Sequence, residues 1–151
     1  MRIVVQRVSR ATVTVADVVS GSIGAGLLLL VGIAPTDTDL DIDRAAEKIA
    51  ALRIFPDERG QMNRSLLESG GSALVVSQFT LLGDVRRGRR PSFVGAAPPE
   101  MARSLLDRIV ASLSEHGVQT EAGIFGAAMA VELVNDGPVT LVLDVKDGRV
   151  S

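Results

Sequence analysis

The chain opens on a stretch whose apolar residues are mostly β-branched. Arg2 to Val8 predicts a strand at once, and from Ala11 to Val15 the valines alternate with threonines, Val13 and Val15 against Thr12 and Thr14. That period of two marks a strand with one face in a core. Gly21, Gly24 and Gly26 punctuate the pattern, and Leu27 to Val31 is an unbroken apolar run, the pattern of a strand buried on both faces. The period then changes. Thr36-Asp37-Thr38-Asp39 supplies N-cap residues and acids for a helix start, and Ile42, Ala45, Ala46, Ile49 and Leu52 fall on one helical face ending near Arg53. Ile54 to Gly60 reads as a short extended piece and a turn, and Ala73 to Leu82 as a second strongly apolar strand.

Gly83 to Pro99 is loop-like, basic, and rich in Gly and Pro. After Pro98-Pro99, a helix is predicted from Ala102, Leu105, Leu106, Ile109, Val110 and Leu113, with Gly117 placed to cap its C-terminus. Val118 to Thr120, Met129 to Val134 and Val139 to Val145 read as three final strands. Strands outnumber helices, and neighbours without a helix between them pair antiparallel. The expectation is one α/β domain over residues 1–151. Its mixed, largely antiparallel sheet curls towards a barrel and is flanked by two main helices.

Composition narrows the chemistry more than the fold. The chain has 151 residues, no Cys, no Trp, no Tyr and one His. A disulfide framework, a thiolate metal site and a cysteine nucleophile are excluded. A Ser-His-Asp relay has only His116 to draw on, and that residue sits where a helix C-terminus favours a cation. The acids Asp37, Asp39, Asp41 and Asp43 lack calcium-loop spacing, and no phosphate-binding glycine motif precedes a helix. No metal and no cofactor is expected. The start of the chain has no signal-peptide pattern, and Gly24 to Ala34 is too short and glycine-broken to span a bilayer, so a cytoplasmic protein with no membrane association is the expectation. Net charge is −2, which argues against a generally nucleic-acid-coating surface. The basic residues are nevertheless concentrated: Arg86, Arg87, Arg89 and Arg90 fall within five positions, a local site suited to phosphates or a merely solvated loop.

Two segments put polar residues where apolar ones are expected. In Ser77-Gln78-Phe79-Thr80 a regular strand would turn Ser77 and Phe79 to one face and Gln78 and Thr80 to the other. Burying such groups unpaired costs about 1–3 kcal/mol each, so either a hydrogen-bond network satisfies them or the strand end opens into a site. Asn135-Asp136-Gly137-Pro138-Val139-Thr140 has the composition of a hairpin turn, and its Gly-Pro bond is one that can also be cis.

Together these two motifs resemble the paired signature of the D-aminoacyl-tRNA deacylases. Arg2 to Val8, Gly24 to Ile33, Leu52 to Asn63, Gly88 to Phe93 and Gly123 to Val131 resemble the same family in order and spacing, so the likeness covers essentially the whole chain. Many relatives carry Tyr where Leu82 stands and Lys where Arg87 stands. The resemblance implies hydrolysis of the ester joining a D-amino acid, or glycine wrongly attached to alanine tRNA, to the terminal adenosine of tRNA. It implies a homodimer with metal-free sites at the subunit interface. Ser77, Gln78, Phe79 and Thr80 would line the pocket for adenosine and ester, and Phe125 and Met129 would help wall it. Gly137-Pro138 would be a cis dipeptide, braced by Arg7, that reaches into the partner's pocket and excludes L-amino acids. Arg86, Arg87, Arg89 and Arg90 would meet tRNA phosphates. Thr80 as nucleophile and the RNA 2′-hydroxyl as participant both remain open, with the RNA-assisted route favoured. Two other readings compete: a nucleic-acid-binding domain without catalysis, opposed by the acidic charge and 3% aromatic content, and a small-molecule acyl esterase, which would need no Arg loop.

Overall fold

A computed structural model describes residues 1–151. In chain order its elements are β1 (Arg2–Val15), β2 (Val18–Ile23), β3 (Gly26–Gly32), α1 (Asp39–Ala51), β4 (Phe55–Pro56), β5 (Met62–Arg64), α2 (Leu66–Ser69), β6 (Ser72–Ser77), α3 (Pro99–Glu115), β7 (Gln119–Ala122), β8 (Ala130–Lys146) and β9 (Arg149–Val150). No helix is long and apolar enough to cross a membrane.

The two N-terminal stretches are one strand. Ser9 and Arg10 hide its continuity because a bulge lies there: Val8 pairs with Asn135 and Arg10 with Val134, leaving Ser9 as an extra residue. The bulge reverses the facing of the strand. Ile3 and Val5 enter one core, whereas Val8, Ala11 and Val13 enter another. One edge of β1 is shared by β3 along Arg2 to Val8 and by β2 along Ala11 to Val15, and β8 runs antiparallel along the other edge. The sheet order is β7-β6-β3-β1-β8-β9, with β3–β6 and β6–β7 parallel and the other pairs antiparallel. The sheet curls until β2 approaches β7: a Cβ on Gly21 would stand 2.9 Å from the Ala122 carbonyl oxygen. The expected curled, largely antiparallel sheet is therefore observed.

β3 is buried on both faces, as its leucine run predicts. Leu27, Leu29 and Val31 pack with helices α1 and α3, while Leu28 faces the inside of the curl with Leu74 and Val76. The acids read as helix-start residues divide their work. Asp37 accepts from the Met1 amino group (2.6 Å) and the Ala34 amide (2.6 Å), and Asp43 pairs with Arg108 (2.9 Å) across α1 and α3. Asp41 accepts from the Thr38 amide (2.9 Å) and the Gly148 amide (2.8 Å), tying the β8–β9 turn to α1. At the end of α3 the Val118 amide returns to the Leu113 carbonyl (3.1 Å) and that of Gly117 to Ser114 (2.9 Å), with Gly117 at φ +89°. This glycine cap is the one predicted, and His116 is exposed at the C-cap.

Three readings need correction. The strand predicted over Ala73 to Leu82 ends at Ser77, and Phe79–Leu82 is a 3₁₀ turn, so Ser77 and Phe79 do not alternate with Gln78 and Thr80 along a strand. The stretches predicted as Met129 to Val134 and Val139 to Val145 are not two strands: from Ala130 onward both belong to β8. Asn135 to Thr140 is accordingly no hairpin, because the chain continues along β1 in the same direction on both sides of it. The short helix α2 went unpredicted, although Ser65 and Glu68 cap each other there in the Ser-x-x-Glu pattern.

Candidate functional site

The parallel pair β3–β6 positions the site. Its last rung runs from the Gln78 amide to the Val31 carbonyl (2.8 Å), after which the backbone turns at Gln78 into the 3₁₀ turn. Beyond these strand ends lies a cavity of about 420 Å³, the end at which ligands sit in open α/β sheets. Val31 and Ile33 form its floor, Ala102 and Leu106 of α3 one side, and Phe79, Phe93 and Phe125 much of the rest. The chain has four aromatic side chains, all Phe, and three of them face this one cavity. Phe79 and Phe93 meet edge to face at 5.2 Å. Gly83 lets the backbone pass close beside Phe93, since a Cβ there would stand 2.9 Å from the ring. Ser77 is the one lining residue with a polar side-chain group, so the walls offer apolar surface and no carboxylate, imidazole or ammonium.

Of the residues singled out in the sequence, Ser77, Phe79 and Phe125 are brought together here. Gln78 and Thr80 flank Phe79 outside the lining, with the Gln78 amide group hydrogen-bonded to the Thr80 hydroxyl. Met129 packs instead against the core inside the curl, near Gly123. Phe93 was missed. It is a lone aromatic in a loop, and only the spatial company of Phe79 distinguishes it.

The second motif is a bulge in β8. Gln6 pairs with Thr140 and Val8 with Asn135, so Asp136, Gly137, Pro138 and Val139 loop out opposite Arg7. The Gly137-Pro138 peptide is cis, with Gly137 at φ +130°, and both residues are exposed. Arg7 is buried beneath them. It donates from Nη1 to the Ile54 carbonyl (2.6 Å) and from Nε to the Asp136 carbonyl (3.1 Å). Asn135 closes the base of the loop, donating to the carbonyls of Arg7 (2.9 Å) and Val139 (3.0 Å) and accepting from the Thr140 hydroxyl (3.2 Å). Gly137 and Pro138 do not line the cavity of their own chain.

The Arg loop is pinched at its base by paired backbone bonds between Asp84 and Ser92. Arg86 donates to both Asp84 oxygens (2.9 and 2.6 Å), and hydrogen bonding from its side chain and amide holds the Asp84 carboxyl below its usual range. Arg87, Arg89 and Arg90 are exposed and form no ion pair.

Comparison with known proteins places the fold and the family. Among solved structures, the c-Myc DNA Unwinding Element Binding Protein superposes with a TM-score of 0.88 at 38% identity, covering 95% of this chain and 98% of the other. A probable eukaryotic D-amino acid tRNA deacylase superposes at 0.81 with 19% identity, covering 93% and 97%. The class is therefore that of the deacylase fold, an α/β domain with a curled mixed sheet. The D-Tyr-tRNA(Tyr) deacylase model matches residues 4–144. D-aminoacyl-tRNA deacylases of Chloroflexus aurantiacus (56% identical, 99% of this chain and 94% of the relative) and Roseiflexus sp. (60%, 95% and 93%) are similar over nearly their full lengths. The chain belongs to the D-Tyr-tRNA(Tyr) deacylase family.

Proposed function

We propose that this protein hydrolyses the ester bond of D-aminoacyl-tRNA, and of glycine mischarged on alanine tRNA, as a proofreading step of translation in the cytoplasm. The observation that carries the reading is the aromatic-lined cavity of about 420 Å³ at the ends of β3 and β6, in a chain that matches deacylases along its length. Its walls suit a nucleobase: flat rings to stack on, and a hydroxyl at Ser77. Phe79 and Phe125 hold the terminal adenosine, and Met129 acts only at a distance, by filling the core inside the curl beside Gly123. Arg87, Arg89 and Arg90 meet the phosphates of the acceptor strand, while Arg86 shapes their loop through Asp84. The domain acts as a homodimer in which Gly137-Pro138 of one subunit meets the cavity of the other. The exposure of that bulge, and the bracing of its base by Arg7 and Asn135, support a rigid backbone stop that rejects L-amino acids sterically.

The chemistry follows from what surrounds the reacting ester. An aminoacyl ester is already activated, so positioning and hydrogen bonding to the developing oxyanion suffice. The first amides of the 3₁₀ turn, at Phe79 and Thr80, have no partner within that turn and are the donors we assign to the oxyanion. Thr80 has its hydroxyl engaged by Gln78 and no base beside it in the cavity walls, which favours participation of the adenosine 2′-hydroxyl over attack by Thr80. The decisive experiment compares release of Tyr from D-Tyr-tRNA and L-Tyr-tRNA by the parent and by Thr80→Ala. The expected result is release of the D form alone and retention of most activity in the variant. Equal release of both forms refutes the proofreading reading, and loss of activity in Thr80→Ala with binding intact returns the nucleophile to Thr80.

A further inference from the structure

We propose that Arg103, one turn into α3, is a positioning residue that fixes the Phe125 ring as a wall of the cavity. The inference rests on the cavity being the nucleotide site argued above. The Arg103 guanidinium carbon stands 5.2 Å from the centroid of Phe125. Ala102 and Leu106, which flank Arg103 on the helix surface, both line the cavity, so the Arg103 side chain leaves the helix at the cavity edge.

Phe125 needs such a clamp. It lies between β7 and β8 in a segment that is neither strand nor helix, followed by Gly126 at φ +77°. Space also opens on its other side: a second hollow of about 70 Å³, lined by Val75, Leu106 and Gly123 among others, shares Phe125 with the main cavity. Packing alone therefore leaves the ring two places to go. Arg103 is free to hold it. It makes no ion pair, although Glu100 and Asp107 lie three residues before it and four after it, whereas Arg108 on the same helix is committed to Asp43. A cation over the ring face is attracted by the ring's quadrupole.

The test combines kinetics with a spectroscopic signature. Arg103→Met is expected to raise KM for D-Tyr-tRNA about two- to fivefold with kcat unchanged, the size of an exposed cation–π contact. Arg103→Lys should recover part of the loss. In a Phe125→Leu background, Arg103→Met should change nothing further, because the ring it positions is gone. The protein has four Phe and no Tyr or Trp, so its aromatic proton spectrum holds four Phe rings and one imidazole. Phe125 signals should shift in Arg103→Met while those of Phe55 in the core stay in place. An unmoved Phe125 spectrum overturns the proposal, as does a KM effect that persists undiminished in Phe125→Leu, which would make Arg103 a direct RNA contact. A parent enzyme that leaves D-Tyr-tRNA intact would refute the function proposed above, and the ring spectrum would then decide the role of Arg103 alone.

Discussion

Replacing Arg7 with methionine isolates what holds the Gly137-Pro138 bulge in place. The guanidinium is buried, and its two hydrogen bonds go to carbonyls of Ile54 (2.6 Å) and Asp136 (3.1 Å). Its approach to the Asp136 carboxylate is longer, 3.4 Å, with that carboxylate 53% exposed, and contributes at most about 1 kcal/mol. Methionine fills most of the volume but donates nothing. A charged donor removed from a carbonyl costs roughly 1.5–3 kcal/mol, and the Asp136 carbonyl recovers some of this from water. The total is about 2–4 kcal/mol. For a domain of this size each kcal/mol moves Tm by ~2–4 °C, so calorimetry should show a fall of roughly 5–15 °C. The bulge should also loosen, and a reduction of ~1.4 kcal/mol in rejecting the wrong hand raises the relative rate on L-Tyr-tRNA about tenfold. Asp136→Asn, which spares both carbonyls, should leave Tm within a few degrees of the parent. A Tm for Arg7→Met equally close to the parent would refute the hydrogen-bond argument, and a lowered Tm with an unchanged D-to-L ratio would refute the bracing role.

Three further outcomes are expected. Gly26→Ala should destabilise by roughly 3 kcal/mol or more, or prevent folding, because the new Cβ would stand 1.9 Å from the Ser72 carbonyl oxygen in the adjacent parallel strand; denaturant unfolding measures it. Burial pushes the Asp41 carboxyl up, but hydrogen bonds from the Gly148 and Thr38 amides and the Thr38 hydroxyl outweigh it and hold the carboxyl below its ordinary value. Its stabilisation is thus present above about pH 4 and lost as pH falls through the depressed folded value, so Asp41→Asn should flatten the acid limb of a Tm-against-pH curve. Removing charge at Arg87, Arg89 or Arg90 should reduce the slope of log affinity for tRNA against log salt by ~0.7–0.9 for each phosphate no longer neutralised, whereas Arg86→Gln should change that slope little, its donors being held by Asp84.

The elements best legible in the sequence are those whose burial is uniform. The leucine run of β3 and the two amphipathic helices have one environment along their length, and periodicity reports it directly. Three features defeat such reading for physical reasons. The bulge at Ser9 shifts the facing of β1, so one strand looks like two. Phe79, Leu81 and Leu82 prolong the apolar pattern after the backbone has left the strand, Phe79 because it walls the cavity and the two leucines because they pack beside Gly32. Asn135 to Thr140 has turn chemistry because it is an excursion from the sheet, but the partner strand that carries the chain straight on is more than a hundred residues away. At the site, the two polar motifs were visible as disturbances of apolar strands. Phe93 and Arg103 were not, since each acquires meaning only from a ring brought beside it by the fold.

The pairing of β1 with β8 also sets when this protein can fold. Ile3 lies opposite Leu143 and Arg2 opposite Asp144, so β1 must wait for a strand made more than a hundred residues after it. At ~5–20 residues per second, synthesis leaves one edge of β1 uncovered for several seconds or more after its other edge has met β3. That edge carries unpaired backbone groups between Ile3 and a series of valines, a template for pairing with another nascent chain. Chains truncated before Ala130 are expected to aggregate or recruit chaperones in a translation extract, and chains that include β8 to become protease-resistant.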